Sequence, residues 1–227
     1  MNESPIILKI LSLAGLVLAI MIHEVAHGAA ALACGDPTAR DSGRLSLNPI
    51  RHIDLVGSII VPLFLAITGS GIMFGWAKPV PISLYRCRNP KRALWITALA
   101  GPLSNLLQAL VAVLALRLLF PDLPYLPEWA SHAEFTAMFM VYVARFLIGY
   151  LCVNIVLMAF NMIPFPPLDG SRILLVLLPR SLQQGYMALE RYGLLILIVL
   201  MQGSGIDQYL GFVQKSFLQL MGLDWLT

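Results

Sequence analysis

Apolar residues in this chain gather into long unbroken runs, not into the alternation of a strand or the narrow stripe of a soluble helix. Ile6 to Ala33 is long enough, at 1.5 Å per helical residue, to cross a hydrocarbon core of roughly 30 Å. Leu94 to Phe120 predicts a second spanning helix. Phe135 to Phe160 predicts a third, running on toward residue 165, where prolines accumulate. Tyr186 to Gly203 predicts a shorter, marginal span. Ile206 to Leu223 sets Asp207, Gln214 and Lys215 among Tyr209, Leu210, Phe212, Val213, Phe217 and Leu218, which reads as an interfacial amphipathic helix, with a sixth crossing as the alternative.

One apolar stretch breaks the pattern. Leu55 to Phe74 carries Gly57, Pro62, Gly69 and Gly71, which weaken a straight helix. It runs into G-W-A-K-P-V-P, Gly75 to Pro81, where Pro79 and Pro81 hold the backbone extended and supply no N–H.

Composition agrees with a membrane protein: of 227 residues, 59% are hydrophobic and 12% charged. The expectation is an all-α membrane protein, a single polytopic helical bundle over residues 1–227. It would have about five spanning or re-entrant segments and a short extended re-entrant element. The modest formal net charge of +3 gives no reason to expect a nucleic-acid partner. A secretory signal is a poor reading of the N-terminus, because Lys9 faces Glu3, the apolar run is too long, and cleavage near Cys34 would discard the chemistry described below. Cys34, Cys87 and Cys152 lie in different segments and do not read as a disulfide framework.

Charge fixes the expected orientation. Lys78 to Arg92 holds five basic residues and no acid, and Arg40, Arg44 and Arg51 mark the preceding polar stretch, so both are expected inside. Pro121 to Glu134 holds three acids and no Lys or Arg, and is expected outside. For both basic stretches to share one side, Leu55 to Pro81 must enter the membrane and return, with its non-helical backbone buried in protein or lining a cavity.

Within the first run stands M-I-H-E-V-A-H-G, Met21 to Gly28. At about 100° per residue, His23, Glu24 and His27 fall within an arc of roughly 100°, so both imidazoles can meet one metal ion. Zinc suits two neutral imidazoles, with the carboxylate placed to take a proton from water. On a soluble helix the same letters could be solvated surface. In lipid an unpartnered carboxylate costs about 2.5 kcal/mol or more, so these groups need a partner, a metal or a water-filled cavity.

Catalytic zinc usually takes three protein ligands. The candidates for the third are Asp169, His52, Asp54, Glu190 and Cys34. Asp169 is preferred, because Pro164, Pro166 and Pro167 end the preceding helix and Gly170 permits close approach. The competing use of Asp169 is as an N-cap for a helix starting near Ser171. His52 and Asp54 also suit hydrogen bonds to loop backbone. Asn105 could reach the metal-bearing helix, and Ala98 and Gly101 suit close packing against a neighbour.

With H-E-V-A-H-G on the first helix, A-G-P-L-S-N over Ala100 to Asn105 and N-M-I-P-F-P-P-L-D-G over Asn161 to Gly170, the sequence resembles the site-2 protease family across essentially its whole length. L-N-P-I-R-H-I-D and G-W-A-K-P-V-P are similar to a compact prokaryotic branch. The resemblance implies an intramembrane zinc metalloprotease of helical fold. It implies that one Zn²⁺ is held by His23, His27 and Asp169, that Glu24 is the general base, and that Asn161 helps hold substrate or the developing oxyanion. The implied partners are a transmembrane protein substrate and the lipid bilayer, with the site near the cytoplasmic face of the cell membrane. The extended G-W-A-K-P-V-P could hold an unwound substrate strand by main-chain pairing or serve as a structural plug. A metal or proton transporter and a silent scaffold are the other classes; a transporter would usually show paired repeats.

Overall fold

Helix α1 (Pro5–Ala33) carries Ile6, Ile10, Leu13 and Val17 on one exposed stripe, at 67%, 60%, 61% and 40% accessibility. That much exposed aliphatic surface is lipid-facing surface. A computed structural model gives the fold and describes residues 5–61, 64, 67, 77–121 and 135–226. The helix stops at Gly35, whose φ of 103° suits a residue without Cβ, as the N–H groups of Gly35 and Asp36 close back on Leu32 and Ala31. The short helix α2 (Thr38–Asp41) follows, then a 3₁₀ turn (Pro49–His52) and a π-helical turn (Leu55–Ile60), whose start is capped by the Asp54 carboxylate. The remainder of the expected re-entrant path of Leu55 to Pro81 lies mostly outside the described residues, as does most of the outer loop Pro121 to Glu134.

Helix α3 (Pro90–Leu119) starts four residues earlier than the apolar run suggests. Asn89 explains the difference: its side chain accepts from the Arg92 N–H at 3.1 Å as a helix cap, and Pro90 needs no N–H partner in the first turn. Helix α4 (Phe135–Asn161) ends at Asn161, before the prolines and short of residue 165. Beyond it lie α5 (Asp169–Leu177), α6 (Arg180–Ala188), α7 (Glu190–Met201) and α8 (Ser204–Leu220). Among the described residues there is no strand.

Among the described residues three helical stretches are long and apolar enough to cross a membrane, Ile6–Ala33, Pro90–Leu119 and Met138–Asn161, the make-up of a multi-pass membrane protein. The span expected over 186–203 is instead a pair, α6 and α7, bent by 64° at Leu189. Counting that pair as one span gives four among the described residues; the other expected segment, the re-entrant Leu55 to Pro81, lies mostly outside them.

The described chain divides into two compact units, Ile20–Gly101 and a second made of Met1–Ala19 with Pro102–Thr227. In the second unit Ala109, Ala112 and Leu116 meet Leu151 and Ile155, small residues letting the backbones approach. Asn105 donates to Asn154 Oδ1 of α4 at 2.8 Å. The amphipathic C-terminal helix turns Val213, Phe217 and Leu218 into this same core, Leu218 being 1% exposed. Part of its apolar surface is therefore covered by protein, while Tyr209, Phe212 and Leu220 stay exposed at 40%, 70% and 78%, as a helix at a membrane interface would leave them.

Candidate metal centre

In the unit Ile20–Gly101, the sequence-predicted motif forms as expected. His23 and His27 are both buried, at 6% and 8% exposure, with Glu24 half-buried beside them. The imidazoles stand edge to face, centroids 4.5 Å apart at 85°, and their Nε2 atoms face each other at 2.9 Å. His27 Nδ1 lies 2.6 Å from the Thr97 carbonyl oxygen. A carbonyl can only accept, so Nδ1 carries the proton, and in the neutral ring Nε2 then keeps its lone pair. That is the tautomer that binds a metal, held by the backbone bond that commonly orients metal-ligating histidines.

The space in front of the two rings is kept by Gly101. A Cβ there would fall 2.4 Å from His27 Nε2 and 2.6 Å from His23 Nε2. Thr97, Gly101 and Pro102 share one stretch of α3, where Pro102 lacks the N–H that would reach back to residue 98 and Thr97 Oγ1 bonds the carbonyls of Ala93 and Leu94. The A-G-P-L-S-N motif therefore supplies the cleared volume through Gly101, and the turn just before it supplies the orienting carbonyl of Thr97. The sequence indicated close packing at Ala98 and Gly101; what Gly101 packs against is the histidine pair.

Glu24 Oε2 accepts from the Val80 N–H at 2.9 Å. Residues 77–81 run without helix or turn, as the prolines require, and the Lys78 N–H donates to the His52 carbonyl at 2.9 Å. Gly75 and Trp76 lie outside the described residues. Gly28 lets this segment approach α1: a Cβ on it would meet Leu45 at 2.7 Å and Val80 at 2.9 Å. His52 is buried and its Nε2 lies 2.8 Å from the Ser46 carbonyl, while Asp54 caps the π-helical turn. Both are engaged with loop backbone.

Asp36 and Cys87 flank this unit outside the spanning helices. Burial would raise the Asp36 carboxyl, but hydrogen bonds from the Thr38 hydroxyl and N–H and the Ser83 N–H, with the nearby Arg86 charge, hold it below its ordinary value. Burial pushes the Cys87 thiol up, with Asp36 and Cys34 adding to the effect. The three cysteines are free.

In the second unit, Asp169 is the first residue of α5 and not its cap; the cap position belongs to Leu168, one residue earlier, and no side-chain capping bond is made there. The helix thus begins two residues before Ser171. Gly170 presses on backbone, since a Cβ would fall 2.4 Å from the Met162 oxygen and 2.6 Å from that of Ile163. Gly193 packs as closely on Pro166, and the Tyr186 hydroxyl donates to the Pro164 carbonyl at 2.9 Å. The proline segment, which includes a cis bond at Pro166–Pro167, is thereby fixed on several sides. Asn161 Nδ2 donates to the Leu157 carbonyl at 3.0 Å, using one of its two N–H bonds. Glu190 opens α7.

The donor chemistry fits zinc. Two imidazole nitrogens bound at about 2.0 Å to one tetrahedral ion stand roughly 3.3 Å apart, and the observed 2.9 Å needs only a few tenths of relaxation. Sequence reasoning did not find Thr97, Gly101 as the guard of the site, or Val80. A main-chain carbonyl, an absent Cβ and a main-chain N–H leave no pattern of residue types.

Comparison with known proteins agrees with this chemistry. The chain is 35% identical over 185 residues to YwhC of Bacillus subtilis, provisionally named a zinc metalloprotease, covering 82% of this chain and 77% of that one. Rip2 of Mycolicibacterium smegmatis, provisionally named in the same way, is 29% identical over 201 residues, 88% of this chain and 70% of its own. Rip2 of Mycobacterium tuberculosis is 27% identical over 192 residues, 84% of this chain and 66% of its own. No family model and no solved structure matches.

Proposed function

From the premise that this chain belongs to the zinc metalloprotease family that includes YwhC, we propose that it is an intramembrane endopeptidase of the site-2 protease type, hydrolysing peptide bonds of membrane-spanning protein substrates. Its cofactor is zinc. The observation that carries the reading is the buried, face-to-face pair of imidazole nitrogens beside Glu24, within a helix apolar enough to cross a membrane.

His23, His27 and Asp169 are the proposed ligands, two imidazoles and a carboxylate being a donor set that could hold one metal ion. Bound there, zinc would supply a Lewis acid to polarise the scissile carbonyl and acidify the attacking water. Glu24 takes the proton from that water and passes it to the leaving amine, with Oε2 anchored on Val80 and Oε1 left to carry it. Asn161 uses its second N–H to stabilise the tetrahedral oxyanion. His27 keeps its Nδ1 proton on Thr97 throughout.

A substrate helix hides its peptide bonds in its own hydrogen bonds, so it must unwind locally, and the extended stretch around residues 77–81 is the proposed edge for the unwound strand, offering it carbonyl oxygens because the Lys78 and Val80 N–H groups are already bound. The exposed Arg86, Arg88, Lys91 and Arg92 at the start of α3 support a site near the cytoplasmic side of the cell membrane. The test is reconstitution of the purified chain with a transmembrane substrate in vesicles. Cleavage inside the hydrophobic segment, abolished by a zinc chelator and restored by zinc, is the expected result. Loaded zinc without cleavage across a panel of membrane substrates would count against a protease.

A further inference from the structure

Arg44 is 7% exposed, a rare state for a cation, and its two terminal nitrogens donate to main-chain oxygens while Nε is buried without a partner among the described residues. Nη1 donates to the Arg51 carbonyl, and Nη2 donates to the Lys78 carbonyl with the Pro79 carbonyl at 3.4 Å. One side chain thus ties the turn before residue 55 to the extended segment after residue 76. The next N–H along that segment belongs to Val80 and is the one bound to Glu24 Oε2.

Proline makes this linkage narrow. Pro79 and Pro81 have no N–H, so Val80 carries the single amide proton in Pro79–Val80–Pro81. No neighbour in that tripeptide can substitute if the segment slips. The carbonyls Arg44 grips, at Lys78 and Pro79, directly precede that N–H in the chain. A planar fork with fixed donor directions suits such a grip better than a flexible ammonium.

We propose that Arg44 is a positioning residue for the proteolytic reaction: it holds residues 78–80 so that the Val80 N–H orients the Glu24 carboxylate. The inference rests on Glu24 being the general base, but the clamp itself is open to a test that needs no catalysis. In this role Arg44 acts through one main-chain hydrogen bond, that of the Val80 N–H to Glu24.

Hydrogen exchange at the Val80 amide in the purified full chain reads the clamp directly. Arg44→Ala should speed that exchange at least tenfold, as should Glu24→Ala by removing the acceptor, and Arg44→Lys should fall between Arg44→Ala and the unaltered chain. Unchanged exchange in Arg44→Ala overturns the proposal. In the cleavage assay, Arg44→Ala and Val80→Pro should each lower kcat about 10- to 100-fold with KM little changed, the scale of misplacing a reacting group. The double variant should be no slower than the slower single, because both remove one hydrogen bond. Losses that multiply, or a loss in KM alone, overturn it. If Arg44→Ala does not fold, Arg44→Lys and Val80→Pro carry the same comparison. If the unaltered chain cleaves nothing, the protease reading fails while the exchange result still decides the clamp.

Discussion

His27 Nδ1 lies 2.6 Å from the carbonyl oxygen of Thr97, seventy residues further along the chain. That bond fixes the tautomer of a proposed metal ligand from the main chain of another helix, so no substitution of Thr97 removes it directly. The turn can be disturbed through Gly101, four residues on.

Gly101→Ala places a methyl 2.4–2.6 Å from both imidazoles. The rings must move, and zinc affinity should fall by about 10- to 100-fold, the scale seen when the surroundings of metal ligands are altered. Zinc content measured by atomic emission after dialysis against a weak chelator checks this. Retention equal to that of the unaltered chain would mean the two rings can move aside without losing the metal.

Gly170→Ala tests the proline segment. Its methyl would meet two carbonyl oxygens at 2.4 and 2.6 Å, and backbone held by Gly193 and Tyr186 contacts cannot give way cheaply. Overpacking of this kind costs about 1–3 kcal/mol. The expected outcome is a lower Tm in detergent together with lost zinc, since Asp169 is the adjacent residue. A lower Tm with full zinc would detach Asp169 from the metal.

Asp36 makes the fold pH-dependent at the acid end. Its folded pKa is depressed, so its contribution is present above the unfolded value of about 3.9 and is lost as pH falls through the folded value. Asp36→Asn should lower Tm at neutral pH, and the gap to the unaltered chain should close as pH drops below about 4. Thermal melts across pH 3–7 decide it; a constant gap would assign the loss to shape and not to charge.

How far the sequence could be read depended on what each feature is made of. His23, Glu24 and His27 were legible because ionisable side chains in lipid demand a use, and helical spacing alone places them together. The start of α3 was misplaced because a capping asparagine, not hydropathy, sets it at Pro90. The C-terminal helix was legible as amphipathic, yet Val213, Phe217 and Leu218 on it join Leu151 and Ile155 in the core, partners that periodicity cannot name. The break at Leu189 has no proline or glycine at the joint to announce it. Gly101 and Gly28 work by having no Cβ, so their use appears only once the neighbours are known.

The central claim is that Glu24 performs proton transfer beside a zinc it does not bind. Glu24→Gln keeps the shape and the hydrogen bond from Val80 but cannot accept the proton. The measurement is cleavage of a reconstituted transmembrane substrate by Glu24→Gln, with bound zinc determined on the same preparation. The account predicts zinc at the level of the unaltered chain and cleavage reduced by at least about 100-fold, the contribution typical of a general base. Undiminished cleavage with zinc in place would contradict it.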